Sequence, residues 1–336
     1  MFDDDPDIDP YERYAERFED TAAGRRARRG RKPQARPADQ PQRDVVSELA
    51  EPTGLEAGFV TTYQPARYEA VWLLSSLRSF YDEHLIGDVL AQVKGGKEAS
   101  VYRCAAESAG ETALLAAKVY RPRMFRNLRN DKVYRDGRAV LSADGRPVKK
   151  TDHRLMRALG KKTAFGMQVQ HTSWVMYEYT TMGRLHQAGA AVPRPVAAAE
   201  NAILMEYCGD ERRAAPTLNE VGLPRGQARP LFDEVLRNIE LLLQHNLVHG
   251  DLSAYNILYW QGRIVLIDFP QVADLQSNRQ AKFILRRDIS RVCEYFIRQG
   301  VRCNPAAIMD DLWARYGAEV EEMWASSGAE VDEEQA

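Results

Sequence analysis

Apolar residues change their spacing several times along the chain, and each change predicts a different element. From Tyr68 to Leu85 (YEAVWLLSSLRSFYDEHL), Val71, Leu74, Leu77, Tyr81 and Leu85 recur at helical intervals, which predicts an amphipathic helix packed on the next domain. From Val89 the runs become short and β-branched. VLAQV, SVYRCAA and LLAAKVY, the last two joined by the turn ESAGET, predict three antiparallel strands. After a charged interval, a helix is predicted from about Ser173 to Ala188, then two strands in PRPVAAAENAILMEY, then a strongly amphipathic helix from Arg229 to His245 ending at Asn246. LVHGDLSAYNILYW and RIVLIDFPQ are strand-like runs flanking polar residues. Helices near Asn278–Gln299 and Pro305–Tyr316 lead into an acidic tail. Five strands followed by helices and a small hairpin predict a bilobal α+β architecture rather than an alternating doubly wound sheet.

Composition narrows this picture. With 336 residues, 44% hydrophobic and 28% charged, a small stapled fold is excluded. The net charge of -2 gives no global instruction to bind an anionic partner, so any such instruction is local. No apolar stretch approaches the roughly 18 residues needed to span a bilayer, and the acidic start MFDDDPDIDP is unlike a secretory signal; a cytoplasmic protein without membrane contact is expected. Cys104, Cys208, Cys293 and Cys303 form no Cys-x-x-Cys pair, and buried reduced thiols are expected rather than a zinc site or disulfide framework.

Local charge is uneven. Residues 1–58 hold few large apolar side chains and read as a disordered tail, whose basic segment 25–36 is either solvated or a grip for RNA. Residues 121–162 carry fourteen Arg or Lys against four Asp, with Arg123, Arg126, Arg129, Lys132, Arg135 and Arg138 at every third position. Gly137, Gly145 and Pro147 break any long helix, so a mobile basic loop is expected, open to phosphate or RNA contact or to plain solvation. The expected organisation is a tail (1–58), a helical extension (59–88), a first lobe (89–205, with the insertion 121–162), a hinge and second lobe (206–317) and an acidic tail (318–336).

The sharpest chemical signal is His249-Gly250-Asp251-Leu252-Ser253-Ala254-Tyr255-Asn256, followed by Asp268 at the end of an apolar strand. Phosphoryl transfer from ATP needs a carboxylate at the nucleophile, plus an amide and a second carboxylate to hold Mg²⁺ against the phosphates. Asp251, Asn256 and Asp268 supply these three. Lys118, in the apolar strand AAKVY, needs a counter-charge, which nucleotide phosphates and a helix carboxylate, here Glu178, provide; the alternative is a snorkelling lysine and a solvated glutamate. The turn Gly95-Gly96-Lys97-Glu98-Ala99-Ser100-Val101 can lay backbone N–H groups and the Ser100 hydroxyl over phosphates, although only Gly96 survives of the three glycines in a kinase G-x-G-x-x-G-x-V loop. His249 is expected to hold its loop by a hydrogen bond. Asp288 in RRDIS is expected either to brace the closing helix or to form a cap or surface ion pair.

GKEASVY, the lysine in AAKVYR, EYTTMGRLHQAGAAVPRP, ILMEYCG, HGDLSAYNIL, IDFPQ and RRDISRVCEYFIRQG together resemble the RIO family of atypical protein kinases over about Ile86 to Gly300. The resemblance implies a protein-kinase-like fold with an antiparallel sheet and helix in the first lobe, and a mainly helical second lobe without an activation segment. It implies an ATP- and Mg²⁺-dependent serine/threonine kinase or ATPase. Lys118 would contact phosphates and pair with Glu178, with Gly96, Lys97, Ser100 and Val101 covering them. Asp251 would be the catalytic base or orienting group, and Asn256 and Asp268 the metal ligands. Met205 would be the gatekeeper, with the Glu206 carbonyl and Cys208 N–H reading adenine. In some RIO proteins the metal-binding Asp accepts the phosphoryl group, which makes Asp268 a candidate acceptor too. Relatives in other lineages act in small-subunit maturation, so an RNA-rich or ribosomal partner is implied. Two other readings stand beside this one: a small-molecule kinase of the aminoglycoside or choline phosphotransferase type, and a nucleotide-sensing scaffold.

Overall fold

The computed structural model describes residue 59 and residues 61–96, 98–107, 114–121, 138–149, 151–161, 163–224 and 226–333. The N-terminal tail with its segment 25–36, residues 108–112 of the turn ESAGET and Lys97 therefore lie outside the described residues, as does the insertion from 122 to 137. Helix α1 (Arg67–Asp82) leads into strands β1 (Ile86–Gly95), β2 (Ala99–Ala106) and β3 (Leu114–Tyr120). Helices α2 (His153–Gly160) and α3 (Ala164–Gln187) follow, then β4 (Pro195–Ala198) and β5 (Ala202–Glu206). These five strands form one antiparallel sheet in the order β1-β2-β3-β5-β4.

Strand parity gives the sheet two faces. Tyr102 and Cys104 of β2, Ala117 and Val119 of β3, and Leu204 of β5 face α1 and pack with Leu73, Leu77 and Phe80. Tyr120 and Ile203 belong instead to the larger core of the helical lobe. The stripe that docks α1 is therefore Leu73, Leu77 and Phe80, offset from the expected one, and Val71 is half exposed. WLLSSL offers two adjacent leucines, so either stripe satisfies the helical period.

Helix α4 (Ala228–Gln244) ends where Asn246 adopts φ 59°, leading to β6 (Leu247–Val248), the hairpin β7 (Ile257–Trp260) and β8 (Arg263–Leu266), and β9 (Ala273–Asp274), which pairs with β6. Helix α5 (Ala281–Arg298) crosses beneath these loops, and α6 (Pro305–Tyr316) starts at an Asn304 cap with proline in its first turn. The expected acidic tail is instead helix α7 (Ala318–Glu333). It is held by buried Val320, by Trp324 Nε1 donating to Gln276 O at 2.7 Å, and by Glu321 accepting from Lys282 Nζ at 2.6 Å.

Two further expectations change. Helix α3 begins at Ala164 rather than near Ser173, because Thr163 caps it by accepting the Gly166 N–H at 3.1 Å. The insertion is not wholly a loop, since Asp152 caps α2 within it and Leu141 bridges to Pro147.

Candidate active site

On the sheet side, Lys118 stands opposite Val101 in the β2–β3 register, so both face away from α1. The Lys118 ammonium lies 2.6 Å from Glu178 Oε1 and 2.6 Å from Asp268 Oδ1. Glu178 sits well inside α3. Its other oxygen accepts the Tyr120 hydroxyl, and Oε1 also accepts the Phe269 N–H at 3.2 Å. Lys118 is 9% exposed and Glu178 3%, whereas 40% of the Asp268 side chain remains accessible. Burial opposes the charge on Lys118, but the two carboxylates outweigh it and hold its pKa above the ordinary lysine value. Burial likewise opposes charge on Asp268, and Lys118 overcomes it, holding that carboxyl below its usual range. Asp268 takes φ 73°, a left-handed conformation that Asp tolerates and that recurs at functional turns.

On the helical side, Gly250 adopts φ 86°, and a β-carbon there would collide with the Gln271 carbonyl, so only glycine closes this turn. His249 is buried. Its Nε2 donates to Ile267 O at 3.2 Å while Nδ1 accepts the Asp251 N–H at 3.3 Å, a pattern that assigns the neutral Nε2–H tautomer. Burial lowers its pKa against the pull of Asp268 and Asp251, consistent with the neutral ring. Its geometry is that of a loop brace. Asn256 Nδ2 donates to Asp251 O at 2.9 Å and Oδ2 at 3.1 Å, which leaves its amide oxygen as the donor atom for a cation. The Asn256 carbonyl accepts the Ile267 N–H at 3.0 Å, drawing this loop to the segment after β8 that carries Asp268.

Helix α5 grips this loop at three points. Asp288 Oδ2 accepts the Gly250 N–H at 2.8 Å, Arg287 donates to Gly250 O, and Arg291 Nη1 reaches Asp251 Oδ1 at 2.7 Å. Asp288 is 1% exposed, and burial pushes its carboxyl up to about 7 despite the Gly250 N–H and Arg287. Of the two expectations for Asp288, bracing is what the structure has, with a backbone N–H rather than a basic side chain as its hydrogen-bond partner.

At the hinge, Met205 and Glu206 end β5 opposite Ala116 and Leu115. Cys208 follows, with its carbonyl accepting the Ala215 N–H at 2.9 Å and its thiol pushed up to about 11 by burial, so it is no ready nucleophile. In the turn before β2, a β-carbon on Gly96 would lie 2.7 Å from the Ala99 carbonyl, which explains the surviving glycine.

One expectation is corrected here. Ser100 pairs with Val119, is fully buried on the α1 face, and turns its hydroxyl away from Lys118. The period of two places its neighbours Ala99 and Val101 on the Lys118 side, so the hydroxyl that the motif singled out faces the other way.

Sequence reasoning missed Tyr120, Arg287 and Arg291, and misplaced Arg138. Counted with the basic stripe, Arg138 instead donates to Pro270 O at 2.9 Å and to Val272 O, with its guanidinium 4.2 Å from the Tyr177 ring centroid. It fastens the segment after Asp268. The arginines of α5 carried a signal: Arg287 and Arg291 sit one turn apart on either side of Asp288, so one helix face presents them to the HGD loop.

A family model described as the RIO domain matches residues 100–308, more than half of the chain. The RIO-type serine/threonine-protein kinase Rio1 of Thermoplasma acidophilum is 31% identical over 137 residues, 41% of this chain and 70% of that protein. Rio1 of Haloferax volcanii is 31% identical over 208 residues, 62% of this chain and 63% of its own length. The human serine/threonine-protein kinase RIO1 is 27% identical over 218 residues, 65% of this chain but 34% of the human protein. The chain thus spans less than two thirds of the latter two relatives.

Proposed function

This chain belongs to the RIO family, and from that membership we propose that it is an ATP- and Mg²⁺-dependent serine/threonine protein kinase with an inherent ATPase activity. The observation that carries the reading is Lys118, which touches Glu178 from its own lobe and Asp268 from the other. The donor set fits the group: a half-exposed carboxylate and an amide oxygen are the hard donors that Mg²⁺ takes alongside substrate phosphates. Held by Asn256 and Asp268, the metal would neutralise charge on the phosphates.

In this reading Lys118 exchanges part of its contact with Asp268 for phosphate oxygens, while Glu178, fixed by Tyr120 and the Phe269 N–H, keeps the ammonium in place. Backbone N–H groups of the turn at Gly96 and Glu98 cover the phosphates; Lys97 lies outside the described residues. Met205, the Glu206 carbonyl and the Cys208 N–H read the adenine. Asp251 orients the acceptor hydroxyl, and its proton passes to that carboxylate as the phosphoryl group departs ATP.

The basic insertion and the segment 25–36 we assign to an RNA-rich or ribosomal partner in the cytoplasm. Support comes from the excess of fourteen Arg or Lys over four Asp in 121–162, and from α2, which buries none of its residues and exposes Arg154 and Arg157. Among the described residues, no helix is long and apolar enough to cross a membrane.

Incubation with γ-labelled ATP and Mg²⁺ is expected to give phosphate release or autophosphorylation that disappears in Asp251→Ala. Activity unchanged by that substitution would remove the assignment. An acid-stable phosphoserine marks the kinase route; a hydroxylamine-sensitive label lost in Asp268→Asn marks Asp268 as an acceptor.

A further inference from the structure

Resting on the phosphotransfer reading above, we propose that Lys94 is a second phosphate-binding lysine, brought by a bulge in β1 into the same cross-strand row as Lys118. The pairing of β1 with β2 puts Gln92 opposite Tyr102, on the α1 face of the sheet. Strict alternation would give Lys94 that same face. A register shift between Gln92 and Lys94 gives it Val101 as its partner instead, and a bulge of this kind re-aims the side chain that follows it. Val101 in turn pairs with Lys118. Lys94, Val101 and Lys118 therefore lie in one row on the Asp268 side of the sheet, with the two lysines on strands roughly 10 Å apart.

Its place in the chain points the same way. Lys94 immediately precedes the Gly95-Gly96 turn and stands where the first glycine of a kinase G-x-G-x-x-G-x-V loop falls. Where that pattern offers phosphates only backbone, this chain offers an ammonium.

Lys94 is exposed, and among the described residues no hydrogen bond or ion pair engages its ammonium. Its charge nonetheless reaches two acids of the site. Glu220, whose carboxyl is held below its usual range chiefly by the Thr217 N–H and hydroxyl, also feels Lys94. So does Asp268, where burial opposes the charge and Lys118 restores it. Glu220 adjoins the HGD loop, since the Asn219 N–H donates to Ala254 O at 3.1 Å.

Charge balance explains what Lys94 adds. Lys118 meets two carboxylates, Glu178 and Asp268, so that cluster carries a net negative charge. A polyphosphate entering there is repelled until further cations arrive. Mg²⁺ is one such cation and Lys94 another, with no carboxylate to give up first. Lysine binds phosphate as a point charge on a flexible stem, which suits a position on an exposed strand end.

The test measures the affinity of the full chain for adenosine, ADP and a non-hydrolysable ATP analogue, at fixed Mg²⁺ and by calorimetry, in wild type, Lys94→Gln and Lys94→Arg. Lys94→Gln should weaken both nucleotides by about tenfold and leave adenosine unchanged, and the difference from wild type should shrink at high salt. Lys94→Arg should keep most of the affinity. Unaltered nucleotide affinity in Lys94→Gln overturns the proposal. So does an equal loss for adenosine, which marks a packing role, or an effect confined to the KM for the acceptor, which places Lys94 on that substrate. If wild type binds no nucleotide, the phosphotransfer reading falls; if it binds and Lys94→Gln matches it, this inference falls alone.

Discussion

On the sheet side of the cleft, Lys118 and Glu178 are 9% and 3% exposed and are locked by Tyr120 and the Phe269 N–H. On the helical side, Asp251 and Arg291 keep 37% and 41% of their side chains in contact with solvent, and the Gly250 backbone beneath them is held by the Asp288 and Arg287 side chains of α5. The difference lies in what each half asks of its charges. Buried ions are part of the folded core and leave uncompensated partners when one is removed. Half-exposed ions are screened, and removing one chiefly affects chemistry. Function and stability should therefore be coupled on the sheet side and separable on the helical side.

The largest expected effect breaks the first half. Lys118→Met should abolish phosphoryl transfer and lower the unfolding free energy by about 3–5 kcal/mol, because Glu178 and Asp268 then face each other without a cation. Urea titration checks this, and adding Glu178→Gln should restore part of the loss.

Next, Asp251→Asn should reduce transfer by on the order of 10³-fold while altering stability by less than about 1 kcal/mol. A stability loss as large as that of Lys118→Met would erase the contrast.

A pH experiment sharpens the boundary between the halves. The Asp288 carboxyl, raised by burial to about 7 from 3.8, keeps its proton in the folded chain over a range where the unfolded chain has lost it. The folded state therefore binds more protons between about pH 4 and 7, so this residue's contribution to stability declines as pH rises through that window and levels off above it. Asp288→Asn, which still accepts the Gly250 N–H, should flatten that slope, by a few kcal/mol at most. An unchanged slope would contradict the assignment.

The smallest effect concerns Arg138. Arg138→Ala should cost about 1–3 kcal/mol, with faster amide exchange concentrated in residues 268–272, since its guanidinium holds the Pro270 and Val272 carbonyls.

Much of this was legible in the chain, for identifiable reasons. Strands reveal themselves by β-branched runs, and β1, β2 and β3 lie where such runs predict them. The pairing of Lys118 with Glu178 was legible because a lysine in an apolar strand needs a counter-charge, and the structure brings Asp268 to the same ammonium. The start of α3 was hidden, since AFGMQVQHT mixes glycine with polar residues and depends on the Thr163 cap and on close packing of Gly166 against α2. Helix α7 was hidden by its acidic composition and shows itself only through the tertiary partners of Val320, Glu321 and Trp324. The direction of Ser100 depends on register, which a motif does not encode.

The proposed chemistry depends on Asp268, which meets Lys118 at 2.6 Å, also holding Mg²⁺. Its most direct test is the Mg²⁺ dependence of ATP binding, followed by a fluorescent ATP analogue titrated with and without Mg²⁺ for wild type and Asp268→Asn. Wild-type affinity should rise by at least about tenfold with Mg²⁺ and the variant's should barely respond; equal Mg²⁺ dependence in both proteins would contradict the account.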